Sequence, residues 1–301
     1  MIDWEWEQLN PWIASRFHWQ YGRSPFSDLW VVYLGWIIYF TGIIGIRWMM
    51  AQRQRFDRWI HVWAAIYNAI MAVLVGWICV TGVQTLHVAV KERGWALSTA
   101  DCQRHDGPEN ERMFYSMYMY YLLRYITFMD TVILALRKKT IPFFHWYQNM
   151  AVILLLWSWL QDKCLFGSTA TNIICFIQWI RHVYFFCRSI GVRASVLKAI
   201  VLLLERARFC AGVIMTAYQM STCPQSGGLL LTSSINVTMV YIAATFYNSD
   251  ERVATTRDIR RKRSRRSMMS DSTSSNSRIN NNSNNNSGSK RKRCSTKRSL
   301  R

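Results

Sequence analysis

The chain has 301 residues, 51% of them hydrophobic, with 15 tryptophans, 5 prolines and a formal net charge of +20. A water-soluble domain of this length would disperse its apolar residues, but here they gather in blocks near the roughly 20 residues that a helix needs to cross a bilayer at about 1.5 Å per residue. A soluble globular fold is therefore excluded, and the lack of strand alternation excludes a barrel of strands, which leaves helices that satisfy their own backbone hydrogen bonds in lipid.

Residues 1–28 form a first segment that is expected to be lumenal. Its start, MIDWEWEQLN, is acidic and has no short apolar core followed by small residues, so no cleavable leader is expected and the first span is read as its own signal. Seven spans are then expected, at Leu29–Ile46, Trp59–Val83, Met113–Leu136, Ile141–Leu160, Leu165–Cys187, Val196–Tyr218 and Leu229–Tyr247. Residues 29–247 are thus read as one all-α, seven-transmembrane-helix domain. Before the first span the net charge is negative. The successive connections are positive (Arg47–Arg58), negative (Gln84–Arg112), positive (Arg137–Thr140), neutral (Gln161–Cys164), positive (Arg188–Ser195) and neutral (Gln219–Gly228). By the positive-inside rule the basic connections and the C-terminus are cytosolic, and the N-terminus faces the lumen or exterior.

Eight cysteines divide along the same lines. Cys79, Cys175, Cys187 and Cys210 lie in spans, where small apolar filler is the plain reading. Cys102 and Cys223 lie in different lumen-side connections, where an oxidising compartment permits a disulfide, with Cys164 as a competing partner.

Within the third span Arg124, Thr127 and the Asp130–Thr131 pair share one helical face, and in the fourth His145, Gln148 and Asn149 do so at i, i+3, i+4 spacing. Charged groups at membrane depth are costly unless paired or hydrated, so these residues should face a bundle interior or a cavity. They mark either a reaction site or a seam of hydrogen bonds holding helices together. His145 with two carboxamides is a poor ligand set for a transition metal, so no metal is expected. His61 is read as interfacial, and His18, His87 and His105 as lumen-side residues without recognisable partners.

After Glu251 the chain changes character. Residues 248–301 form a basic tail, rich in Ser and Asn, with too little apolar surface to fold, and it is expected to be disordered. Its clusters RRKRSRR (Arg260–Arg266) and KRKR (Lys290–Arg293) look like nuclear-localisation or nucleic-acid patches when read alone. Beside a seven-span domain they are expected instead to meet anionic lipid headgroups, at about 1 kcal/mol per basic residue near the surface. Nucleic acid is not an expected partner.

The series Arg124-x-x-Thr127-x-x-Asp130-Thr131, then LRKK (Leu136–Lys139), then FFHWYQN (Phe143–Asn149), resembles the ELO family of very-long-chain fatty acid elongases. That family reads Lys-x-x-Glu-x-x-Asp-Thr, a basic turn and the box His-x-x-His-His in the same order. GWALSTADCQRHDGP (Gly94–Pro108) resembles its long lumenal connection, and GVRA (Gly191–Ala194) its short cytosolic turn. The resemblance implies a multi-pass protein of the endoplasmic reticulum membrane, six of whose seven helices form a barrel around a narrow acyl tunnel. It implies acyl-CoA and malonyl-CoA as substrates, condensed to a 3-ketoacyl-CoA without a cofactor, and Arg124, Asp130, Thr131, Lys138, Lys139 and Tyr184 as substrate-binding positions.

The chain departs from the pattern at the residues that would do the chemistry. His145 is kept, but Gln148 and Asn149 stand where the box has its second and third histidines, and Gln178 where the family has an assisting histidine. His182, one turn beyond Gln178 in IQWIRHVYFF, is either a shifted histidine that rebuilds a pair with His145 or a residue meeting phosphates or headgroups beside Arg181. In the sixth span Leu202, Glu205 and Arg208 stand where the family has Thr-x-x-Gln-x-x-Gln. A carboxamide donates and accepts hydrogen bonds but is neither base nor nucleophile, so the activity of this copy is expected to be impaired. The alternative is a non-catalytic homologue that binds acyl-CoA or regulates an active elongase as a homo- or hetero-oligomer. A seven-helix receptor or retinal protein is disfavoured, because the last span has no Lys for a Schiff base and no Asn-Pro-x-x-Tyr.

Overall fold

A computed structural model describes residues 17–53, 57–94, 108–163, 165–192, 194–222, 230–242 and 244–245. The expected disulfide partners Cys102 and Cys223, their competitor Cys164, and the basic tail lie outside these residues. By its internal contacts the chain divides into Met1–Ala243, a helical body, and Ala244–Arg301.

The described residues of the body form helices and turns with no strand. Helix α1 is Leu29–Ala51, α2 Asp57–Arg93, α3 Pro108–Ile126, α4 Phe128–Leu136, α5 Phe143–Asp162, α6 Leu165–Ser189 and α7 Ser195–Thr222. A shorter apolar helix, α8, is Leu230–Ile242. Among the described residues three stretches are long and apolar enough to cross a membrane: Leu29–Ala51, Trp59–Lys91 and Glu111–Leu136.

Boundaries differ from expectation where backbone chemistry decides them. Helix α2 continues past Val83 because no Gly or Pro interrupts it until Gly94, which takes φ +82° and bonds its amide to the Val90 carbonyl at 2.9 Å. Helix α3 opens at Pro108, ahead of the expected Met113, since proline suits a first helical turn where its missing N–H has no role. The expected third span is broken at Thr127, whose hydroxyl donates to the Arg124 carbonyl at 2.6 Å. Helix α5 starts after Pro142, and α6 ends before Gly191 at φ +87°.

Helix α1 buries one stripe (Val32, Tyr39, Ile43, Met50) and leaves Trp30, Ile37, Ile38, Ile44 and Trp48 exposed, as a helix against lipid would. Helix α3 is the central element, with Met113, Phe114, Met117, Tyr120 and Tyr121 essentially inaccessible. Helices α2 and α6 share the most extensive contact, which two glycines permit. A Cβ on Gly76 would stand 2.8 Å from Trp179 Nε1, and one on Gly82 would stand 1.9 Å from Asn172 Oδ1. The Asn172 amide donates to the Gly82 carbonyl at 3.1 Å.

Residues 17–28 pack over one end of the bundle. Trp19 is buried and donates to Gln161 Oε1 at 2.9 Å, while Tyr121 and Trp157 donate to the carbonyls of Phe26 and Ser27. Beside them Glu111 Oε1 takes Lys163 Nζ at 3.2 Å and His18 Nδ1 at 3.3 Å. This corrects the expectation for His18, whose partner lies far along the sequence and is set by how α3 and α5 end together.

Candidate functional site

Two hydrogen-bonded clusters occupy the interior. The first joins α1, α3, α4 and α5 around Asn149. Arg124, almost fully buried, donates from Nη2 to Asn149 Oδ1 at 3.3 Å. A guanidinium only donates, so this contact fixes which way the Asn149 amide points. Its Nδ2 then faces the Tyr39 hydroxyl and Thr131 Oγ1, both at 3.3 Å, and His145 Nε2 at 3.4 Å. Thr131 Oγ1 also lies 3.0 Å from His145 Nε2 and 2.8 Å from the Tyr39 hydroxyl.

The second cluster joins α2, α4, α6 and α7. His182 is completely buried; its Nδ1 donates to Asn68 Oδ1 at 3.0 Å, and its Nε2 accepts from Gln178 Nε2 at 3.2 Å. This overturns the reading of His182 as a residue meeting headgroups. Helix α6 turns it inward, and Asn68 on α2 offers the acceptor that makes burial affordable. Tyr67 stands edge-on to the ring with centroids 6.0 Å apart. Next to it Arg181 Nη2 pairs with Asp130 Oδ2 at 3.2 Å, and its Nη1 lies 3.8 Å from Glu205 Oε1.

The expected site residues are therefore sorted by the structure. Arg124, Thr131, His145 and Asn149 come together in one cluster; Asp130, Gln178 and His182 border the other. Asp130 and Thr131, adjacent in sequence, point to different partners. Gln148 is buried beside them without a hydrogen bond to any described residue. Lys138 and Lys139 are exposed in the turn after α4, Lys138 at φ +52° with Nζ 3.5 Å from the Ala51 carbonyl. Partial burial, then Arg137 and Arg188, holds the Lys139 ammonium below its usual pKa, as expected where cations crowd. Tyr184 is buried and accepts from Arg188 Nη1 at 3.3 Å. Neither lysine nor Tyr184 reaches the two clusters.

Sequence reasoning did not single out Tyr39, Asn68 or Tyr67. A lone Asn inside the apolar run of α2 was the available signal for Asn68; a tyrosine in a tryptophan- and tyrosine-rich chain gives none. Among the described residues no group of His, Cys, Asp and Glu is placed to hold a metal. Two imidazoles, carboxamides and a buried ion-pair cluster can orient a polar or acyl group by hydrogen bonds.

Beyond the clusters an apolar cavity lies between α5, α6, α7 and α8, lined by residues including Leu155, Trp159, Phe166, Ile174 and Met215.

The sequence pattern of the ELO: GNS1/SUR4 family matches residues 24–254. The chain belongs to the ELO family. Fatty acid elongase sre1 of Dictyostelium discoideum is 27% identical to it over 207 residues, covering 68% of this chain and 75% of that protein. Long chain fatty acid elongase 1 of Caenorhabditis elegans is 24% identical over 177 residues, 57% of this chain and 58% of its own length. Very long chain fatty acid elongase 6 of Mus musculus is 24% identical over 163 residues, 52% of this chain and 57% of its own length. The ELO match spans every described helix, and with the three long apolar helices it makes this ELO protein a membrane protein.

Proposed function

We propose that the protein serves fatty acid elongation, as a seven-span scaffold of the endoplasmic reticulum membrane in which six helices surround an acyl tunnel. Its reaction class is that of a 3-oxoacyl-CoA synthase, condensing a long-chain acyl-CoA with malonyl-CoA, and this copy carries it out weakly or not at all. The N-terminus is lumenal and the C-terminus cytosolic on this reading. What supports it is the interior seam of Arg124, Asp130, Thr131, His145 and Asn149, at the positions where the family resemblance sets its motif residues. The apolar cavity that starts one turn beyond Asn149 suits the acyl chain.

Impairment follows from the side chains. Gln148, Asn149 and Gln178 keep the hydrogen-bonding character of neutral imidazoles but have no basic lone pair to take a proton. Losing one general base costs about 10² to 10⁴ in rate, and losing a covalent step costs more. Both ring nitrogens of His182 are already engaged, by Asn68 and Gln178, which favours the second reading: a non-catalytic homologue that binds acyl-CoA or pairs with an active elongase. Purified protein given a long-chain acyl-CoA and labelled malonyl-CoA is expected to bind the acyl-CoA and release little or no 3-ketoacyl-CoA. Robust turnover that His182→Ala abolishes would overturn the impairment.

A further inference from the structure

Helices α2 and α6 meet in a register that sets two cysteines against each other. On α6, Asn172, Cys175 and Trp179 follow the three- and four-residue spacing of one helical face. All three lean on the backbone of α2. Asn172 donates to the Gly82 carbonyl at 3.1 Å, Cys175 donates its S–H to the Val75 carbonyl at 3.4 Å, and the Trp179 indole nitrogen would stand 2.8 Å from a Cβ on Gly76. Cys79 lies midway between Gly76 and Gly82, so it faces the middle of these three side chains. In an α-helix the Val75 carbonyl is also the acceptor of the Cys79 amide, so one carbonyl meets both residues. The Cys79 thiol is hydrogen-bonded to that of Cys175, and neither is in a disulfide.

Filling of apolar space explains a small side chain at either position, and alanine or valine would serve as well. Two sulfurs in contact across a glycine-tight crossing have a chemistry that filler lacks. Cys79 is 7% exposed and Cys175 is fully buried, while Val80 and Val83 on α2 and Ile173 and Phe176 on α6 are exposed on the outer face. In a membrane protein that outer face meets lipid. An oxidant therefore approaches the pair from the bilayer and reaches Cys79 first.

We propose that Cys79 and Cys175 form a redox-modification site whose oxidant is an organic hydroperoxide dissolved in the bilayer. The Cys79 sulfur attacks the terminal peroxide oxygen and the O–O bond breaks. The thiol proton passes to the departing alkoxide, which leaves as an alcohol, and Cys79 becomes a sulfenic acid. The Cys175 sulfur then displaces the sulfenic hydroxyl, which leaves as water with the Cys175 proton, and an S–S bond joins α2 to α6. Two thiols lose two electrons, and one hydroperoxide is reduced to an alcohol and water. The bridge fixes the rotation of α2 against α6, the same rotation that brings Asn68 to His182. This site needs only that the two helices lie in lipid and is independent of the condensation chemistry.

The test uses full-length protein in lipid nanodiscs, reduced with dithiothreitol, freed of it and exposed to cumene hydroperoxide. Remaining thiols are then alkylated, and the peptides are mapped by mass spectrometry. The expected result is a peptide pair joined through Cys79 and Cys175, at least tenfold above the untreated control and removed by fresh dithiothreitol. Cys79→Ser abolishes the bridge. Cys175→Ser also abolishes it and leaves a Cys79 sulfenic acid that dimedone traps, whereas the double change Cys187→Ala, Cys210→Ala leaves the bridge unchanged. The proposal is overturned if Cys79 and Cys175 remain alkylatable thiols while the exposed Cys210 is oxidised, or if Cys79 in the unmodified protein stops at the sulfenic acid. If the serine variants do not fold, the mapped peptides of the unmodified protein decide.

Discussion

Arg181 is shared by two carboxylates from different helices, Asp130 of α4 and Glu205 of α7, with both acids and the guanidinium largely withdrawn from solvent. Removing one partner of a buried ion pair leaves an uncompensated charge, which typically costs about 3–5 kcal/mol, whereas replacing the whole set by neutral groups is often tolerated. Arg181→Met is therefore expected to lower the thermal midpoint sharply or to prevent recovery of monodisperse protein. The triple change Arg181→Met, Asp130→Asn, Glu205→Gln should recover most of that loss in the same melting measurement. Asn149 makes the complementary point: its amide oxygen is held by Arg124 so that its nitrogen faces His145, Thr131 and Tyr39. The sequence showed that these polar residues belong inside. Which atoms meet was not legible, because Asn68 and His182 are 114 residues apart and their meeting depends on how α2 and α6 are rotated against each other.

At the scale of elements, the contact between α2 and α6 has a definite weak point. Gly82→Ala would bring a methyl group 1.9 Å from Asn172 Oδ1, so Asn172 must swing away and give up its bond to the Gly82 carbonyl. Overpacking of this kind costs about 1–3 kcal/mol, and a melting curve of Gly82→Ala should show a correspondingly lower midpoint. Gly42→Ala on α1 is the control: nothing lies within 4 Å of its added Cβ, and its midpoint should be unchanged or slightly raised. Element existence was legible from apolar blocks; element ends were less so, since α2 continues to Arg93 through a polar run that no proline or glycine interrupts. Hydropathy reports where lipid ends, and helix termini obey capping chemistry instead.

For the whole molecule, the proposed orientation puts the basic connections and the tail on one side of the membrane. A glycosylation reporter fused after Arg301 is expected to stay unmodified, and a glycosylated product would sink the seven-span reading. The alternation of charge along the chain carries that prediction, and it needs no coordinates. By itself the sequence determined that the chain is helical and membrane-bound and that it belongs with the ELO proteins, because hydrophobic block length, charge sign and residue type are local properties of the chain. Only the tertiary structure decided that His182 is buried against Asn68 and Gln178, that His18 faces Glu111, and that Arg181 lies between Asp130 and Glu205. Those outcomes depend on which faces of separate helices are turned toward one another, and packing of the whole bundle sets that rotation.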